Sequence, residues 1–174
     1  MTEPKSHTQA DPVAAALEAA DGGDCGGVRS AIAADVSRGV TRLLMAQGIG
    51  VVCELPLPDG RRADIVGLSS SGGVWIVEIK SSVADFRCDT KWPTYRAYCD
   101  RLYFAVSPDF PVAILPEDAG LILADRYGGS MVREAPEHGL AAARRKVMMV
   151  RFGLAAAARL ARVRDPGADG MGEF

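Results

Sequence analysis

Three charged residues stand where an ordinary β-hairpin would carry Val or Thr. In RRADIVGLSSSGGVWIVEIKSS, residues 61–82, two apolar runs flank a Ser/Gly turn, and Asp64, Glu78 and Lys80 interrupt them. If the turn is symmetric about Ser71, Asp64 falls opposite Glu78 and Arg62 opposite Lys80. Side chains alternate along a strand, so Asp64, Glu78 and Lys80 share one face, while Ala63, Ile65, Trp75, Val77 and Ile79 supply an apolar face to bury. Two carboxylates directly opposed across strands repel each other. A divalent cation between them relieves the conflict, and Mg²⁺ takes one or two carboxylates while keeping several waters. The backbone carbonyl of Ile79 is a candidate for a further oxygen. Such an ion polarises a phosphoryl oxygen and generates hydroxide near neutral pH. Lys80 would orient the attacking water and stabilise charge developing on the phosphate. The chemistry expected of the trio is metal-assisted phosphodiester hydrolysis. The bland reading is a solvated strand face, with Asp64 paired to Arg62 or Lys80 for about 0–1 kcal/mol.

The elements that must position this trio follow from periodicity. Val28, Ile32, Val36, Val40 and Leu44 recur every fourth residue, which predicts a helix over 28–47 that Gly48 stops, with Arg29, Arg38 and Arg42 off the stripe. Strands are expected at 50–57, 61–68, 74–81 and 101–106, and a second hairpin over 120–125 and 130–135 around Tyr127-Gly128-Gly129. Asp89 or Thr90 is placed to open a helix with Pro93 in its first turn, running through Tyr98. A helical turn is expected at 112–115. A final helix spans roughly His138–Val163, with Leu140, Val147, Met148, Phe152 and Leu160 as its apolar side and an interruption at Gly153. The order is α+β: a central mixed sheet flanked by helices in three layers. Residues 28–164 form the single expected domain, between disordered tails at 1–27 and 165–174.

With 174 residues, 48% hydrophobic and 24% charged, the composition is that of a soluble globular protein. The net charge of −2 conceals an asymmetry. Residues 138–164 carry Arg144, Arg145, Lys146, Arg151, Arg159, Arg162 and Arg164 and no acid, so the remainder sums to −9. This stretch reads either as a solvated face or as a track for a nucleic-acid backbone, with the solvated face favoured because Arg144-Arg145-Lys146 spreads round a helix. Cys25, Cys53, Cys88 and Cys99 lack CxxC spacing, and neither His7 nor His138 completes a zinc pattern. Cys88 and Cys99 are expected to be small buried hydrophobes. A polar N-terminus and the absence of an apolar run near 18 residues point to a cytoplasmic chain with no membrane partner. Trp92 and Tyr98 are expected to face the core, whereas Lys91 and Tyr95 suit either the core helix or DNA contact.

These residues resemble the PD-(D/E)XK nuclease superfamily, with Asp64 as its first acid and Glu78-Ile79-Lys80 as its E-x-K. The likeness is closer still to the MmcB-like DNA-repair proteins. It is carried by Arg62-Ala63-Asp64-Ile65, the VEIKSS strand, Asp85-Phe86, CDTKWPTYRAYCDRLYFAV and LPEDAGLILADRYGGSMVREAP, and covers about residues 28–163. The resemblance implies a restriction-endonuclease-like core, a Mg²⁺ or Mn²⁺ site and action on DNA in repair. It makes Asp64 and Glu78 metal ligands and Lys80 the catalytic lysine. Lys91-x-x-x-Tyr95 stands where RecB-type members carry Gln-x-x-x-Tyr, a departure at the first position. Many relatives add an acid from the first helix; that helix offers only Asp35, and Glu54 is the substitute candidate. Arg62, Lys91, Tyr95 and Arg38 are the candidate DNA contacts. A competing reading is a nuclease-fold module that binds DNA or a repair protein without cutting.

Overall fold

The structure is a computed structural model that describes residues 25–167, with side chains from residue 31 onward. The expected tails fall largely outside these residues, as does the side chain of Val28. Helix α1 (Cys25–Ala46) leads into a meander of β1 (Gly50–Pro56), β2 (Arg62–Leu68) and β3 (Val74–Lys80). Helix α2 (Val83–Cys88) and a 3-10 turn (Trp92–Ala97) precede β4 (Arg101–Val106). A second 3-10 turn (Val112–Ile114), β5 (Gly120–Ala124), β6 (Gly129–Arg133) and α3 (Ala142–Arg164) complete the order. The six strands lie side by side in sequence order in one open sheet. The β1–β2–β3 and β5–β6 pairs are antiparallel, and β4 runs parallel to both β3 and β5. This is the α+β fold with a mixed central sheet that the sequence predicts.

Helix α1 ends as its sequence requires. Gly48 takes φ +74, its N–H donates to Met45, and the N–H of Ile49 reaches back to Leu44. This is the paired-bond stop that a left-handed residue after a helix allows. The stripe Val36, Val40 and Leu44 is fully buried against Ile65, Val77, Tyr103, Ala105 and Ile122. Each such side chain contributes about 1.5–3 kcal/mol. Gly39, on the same helix, lies directly on the β5–β6 turn: a Cβ there would overlap the carbonyls of Asp125 and Gly128. Around it, Arg42 donates to the carbonyls of Arg126 and Tyr127, and Asp35 pairs with Arg126 at 3.0 Å. Gly39→Ala should therefore destabilise the protein by about 1–3 kcal/mol through overpacking, although Ala is the better helix former by about 1 kcal/mol. Urea unfolding measures the difference, and an equal or higher midpoint would show that the turn yields.

The opposite face carries α3 and the first 3-10 turn. Met148 and Tyr95 pack there with Val52, Val66, Val74, Ile76 and Leu102. Towards β5, Val83 and Phe86 of α2 rest on a third cluster around Phe104, Phe110 and Leu115.

Several expectations need correction. The helix expected from Asp89 or Thr90 through Tyr98 is a 3-10 turn over Trp92–Ala97, and α2 ahead of it is an element that the sequence reading leaves unassigned. Ser82 caps α2 by accepting from the N–H of Asp85 (3.1 Å), and the chain breaks at Asp89, whose Oδ1 accepts from the N–H of Lys91 (2.9 Å). Helix α3 starts at Ala142, because the N–H groups of His138 and Leu140 are drawn to Asp100 and hold the preceding chain extended. It runs through Gly153 unbroken. Its inner side is Met148, Phe152, Ala155 and Ala156, whereas Val147 and Leu160 are exposed. Cys99 is buried as expected, but Cys88 is exposed at the end of α2.

Candidate active site

The β2–β3 register is the one symmetric about Ser71: Ile65 faces Val77, Val66 faces Ile76, Gly67 faces Trp75 and Leu68 faces Val74. Gly72 at φ +83 and the Ser69–Gly73 backbone bond close the turn. The ladder stops at the charged pair. Asp64 Oδ2 accepts from the N–H of Ile79 (2.8 Å), and Glu78 Oε1 accepts weakly from the N–H of Asp64 (3.4 Å). The two carboxylates thus fill the space where the strands part, while β3 continues along β4 through Lys80.

The same distortion crosses into β1. Pairs Cys53–Ile65 and Leu55–Ala63 flank an unpaired position at Glu54 and Asp64, and Glu54 sits at φ +49. A non-Gly residue in that region is uncommon and marks local strain. Its consequence is a change of face. Val52 points into the layer beneath α3, and beyond Glu54 the inward residues are Leu55 and Leu57. Ala63, expected beside Ile65, joins Leu55 and Tyr95 instead.

Lys80 converges on Glu78 from one residue beyond Ile79. Its Nζ lies 3.9 Å from Glu78 Oε2 and 2.6 Å from Asp89 Oδ2, and both Glu78 and Lys80 are buried. Asp89 was visible in the sequence only as a possible helix start; its role as the partner of Lys80 arises because α2 folds back over the end of β3. Asp85, at the start of α2, accepts from the N–H and hydroxyl of Ser81 and adds negative potential at Asp64.

The electrostatics follow from burial. Desolvation raises the Asp64 carboxyl above its ordinary range, partly countered by the Ile79 N–H and the Lys80 charge. Desolvation and then the Asp64 charge push Glu78 up to about 8, with Lys80 opposing. Burial would raise Asp89 too, but the Lys80 hydrogen bond and the N–H groups of Lys91 and Trp92 outweigh it and hold it low. Tyr95 is pushed up to about 12 by burial and by Glu78, Asp89 and Asp64, and its hydroxyl donates to the Arg62 carbonyl (3.3 Å).

Two acids raised together are two like charges that cannot both ionise cheaply in a dry site. A hard cation would answer this: among the described residues Asp64 Oδ1 and Glu78 Oε2 accept no main-chain hydrogen bond, which leaves both oxygens as candidate ligands. Among the described residues no group of three or more His, Cys, Asp and Glu converges as a metal site. Two carboxylates, supplemented by a carbonyl and waters, would suit Mg²⁺ better than Zn²⁺.

The remaining candidates divide. Tyr95 lies at the site, and Lys91 is exposed beside it. Arg62 and Glu54 pair with each other at 3.5 Å on the exposed edge, so the Glu54 side chain is not part of the buried cluster. Asp35 and Arg38 belong to α1, on the far face of the sheet. The periodicity of the basic stretch did not reveal the role of Arg145, which is half-buried and makes a two-pronged bond to buried Asp100 (2.6 and 2.7 Å).

An open mixed sheet covered on both faces, with an acid–acid–lysine cluster buried where two strands separate, defines an α+β domain built around one charged site. The family model described as DNA repair protein MmcB-like matches residues 21–167, and the chain belongs to that family. Its fold is similar to the solved structure of the SPO1766 protein of unknown function from Silicibacter pomeroyi. The two are 45% identical with a TM-score of 0.76, over 82% of this chain and 97% of that one. No curated protein matches the chain. No helix among the described residues is long and apolar enough to cross a membrane.

Proposed function

We propose that the protein is a DNA hydrolase of the PD-(D/E)XK type, cutting phosphodiester bonds during repair with Mg²⁺ or Mn²⁺ as cofactor. Membership of a DNA-repair family supports the substrate class, and the convergence of half-buried Asp64 with buried Glu78 and Lys80 is the observation that carries the chemistry. Asp64, Glu78 and the Ile79 carbonyl would hold the ion, which supplies Lewis acidity and a water of lowered pKa. The burial of Glu78 and Lys80 keeps the dielectric low and strengthens each charge. Lys80, steered by Asp89, stabilises the negative charge that gathers on the phosphate as water oxygen bonds to phosphorus and the P–O ester bond breaks. The short Lys80–Asp89 contact favours a second reading, in which the lysine is structural and the domain binds DNA without cutting it.

One paired experiment separates them. Mg²⁺ or Mn²⁺ should raise the melting temperature of the wild type and not of Asp64→Ala. Labelled DNA should be cut by the wild type and spared by Lys80→Ala. Equal residual cutting by both proteins would sink the hydrolase reading, and a metal-blind melting temperature would remove the site.

A further inference from the structure

Two arginines of α3 are tied to the strand edge that borders the acidic pair. Arg151 Nη1 donates to the carbonyl of Pro56 and Arg159 Nη2 to the carbonyl of Glu54, each at 3.3 Å. Glu54 is the β1 position beside Asp64, and Pro56 pairs with Arg62. Neighbouring strands lie about 4.8 Å apart, so the two carbonyls that hold these guanidinium groups lie roughly one strand spacing from the strand that carries the first acid. They are also on the correct face. Helix α3 packs on Val66 and Ile76, and in β3 the residues alternating with Ile76 on that side are Glu78 and Lys80.

A carbonyl anchors a guanidinium group without neutralising it. Neither Arg151 nor Arg159 forms an ion pair among the described residues, whereas Arg145 on the same helix is neutralised by Asp100. The Glu54 carboxylate at this edge is already met by Arg62. No acid occurs anywhere in residues 138–164. Each guanidinium has five N–H donors, so one bond to a carbonyl fixes its direction and leaves others for phosphate oxygens.

We infer that Arg151 and Arg159 form a rail for the DNA backbone, holding phosphates that neighbour the one to be attacked beside Asp64 and Glu78. The inference rests on the phosphodiester reading of that site, yet its readout is binding alone. Phosphate contacts of this kind set register on the nucleic acid without reading its sequence.

The test is the salt dependence of binding to a labelled DNA duplex, followed by fluorescence anisotropy in EDTA so that metal-dependent cutting plays no part. Each phosphate contact contributes about 0.9 to the slope of log affinity against log salt. The double variant Arg151→Gln/Arg159→Gln should lose about 1.8 of that slope and bind on the order of tenfold more weakly. Arg151→Lys/Arg159→Lys should keep the slope, and Arg126→Gln, on the opposite edge of the sheet, should match the wild type. If the Gln pair lowers the melting temperature, Arg159→Glu alone carries the test, and it should weaken binding and flatten the slope. An unchanged slope in the Gln pair or in Arg159→Glu overturns the rail. A protein that shows the slope change but never cuts DNA keeps the rail and loses the hydrolase; one that cuts while the variants bind normally loses the rail alone.

Discussion

Glu78→Gln should abolish metal-dependent DNA cleavage and at the same time make the metal-free protein more stable at pH 8. On the proposed hydrolase reading, the loss of activity would follow from removing one of two anionic ligands. The several kcal/mol of charge stabilisation that a bound ion supplies translate, at 1.36 kcal/mol per tenfold, into a fall of about a thousandfold. The gain in stability follows from proton linkage. Burial and the Asp64 charge raise the folded Glu78 carboxyl from an ordinary 4.5 to about 8. Between those values the folded protein holds a proton that the unfolded chain releases, so the carboxyl's contribution is complete below 4.5 and is lost as pH rises through about 8. A Gln amide mimics the protonated acid at every pH. Wild type and variant should therefore melt together near pH 4 in EDTA, and the variant should melt higher at pH 8. A gap of 1–2 kcal/mol would correspond to roughly 3–6 °C for a domain of this size. Added Mg²⁺ should reverse the order by stabilising only the wild type. Identical melting at both pH values would mean that Glu78 is not held in a dry, repelling site.

Asp100→Ala should be the most damaging change outside the candidate site. Asp100 is 5% exposed and joins three distant pieces of chain. Its carboxylate accepts from the N–H of Val74 (2.8 Å), from the N–H of Leu140 (3.1 Å) and from both terminal nitrogens of Arg145. Its backbone N–H and carbonyl bond to Val74 and His138, both at 2.7 Å. Burial by itself would raise this carboxyl, but Arg145 and the two N–H groups hold it below the ordinary 3.8. The depressed value contributes stability that is present above 3.8 and lost as pH falls through the folded pKa. Alanine leaves two N–H groups and a guanidinium without their acceptor. Breaking a buried pair from one side costs about 3–5 kcal/mol, or roughly 10 °C in melting temperature. Arg145→Ala should cost less, because its side chain is 31% exposed and the two N–H groups keep their acceptor. Urea unfolding of the two variants checks the order, and equal losses would refute Asp100 as the hub.

The hairpin and its register were legible because they are local. Alternation sets the faces of β2 and β3, and the Ser69–Gly73 turn admits the pairing that brings Asp64 to Glu78. Charges in places meant for β-branched residues marked the site, and the four-residue spacing of Val36, Val40 and Leu44 marked the helix that covers the other face. The break between α2 and the 3-10 turn was harder to read, since Asp89 suits a helix start equally well; its side chain goes to Lys80, nine residues back.

By itself, then, the sequence determined the order and type of the strands and of the two long helices, the face on which the three charges lie and the family to which the chain belongs. Tertiary structure decided where the ladder opens at Asp64, which cations are neutralised and which are not, and that α3 reaches Pro56 and Glu54 across 95 and 105 residues. Periodicity is a property of neighbours along the chain, whereas charge pairing and desolvation depend on distances that only the packed sheet and its covering helices establish.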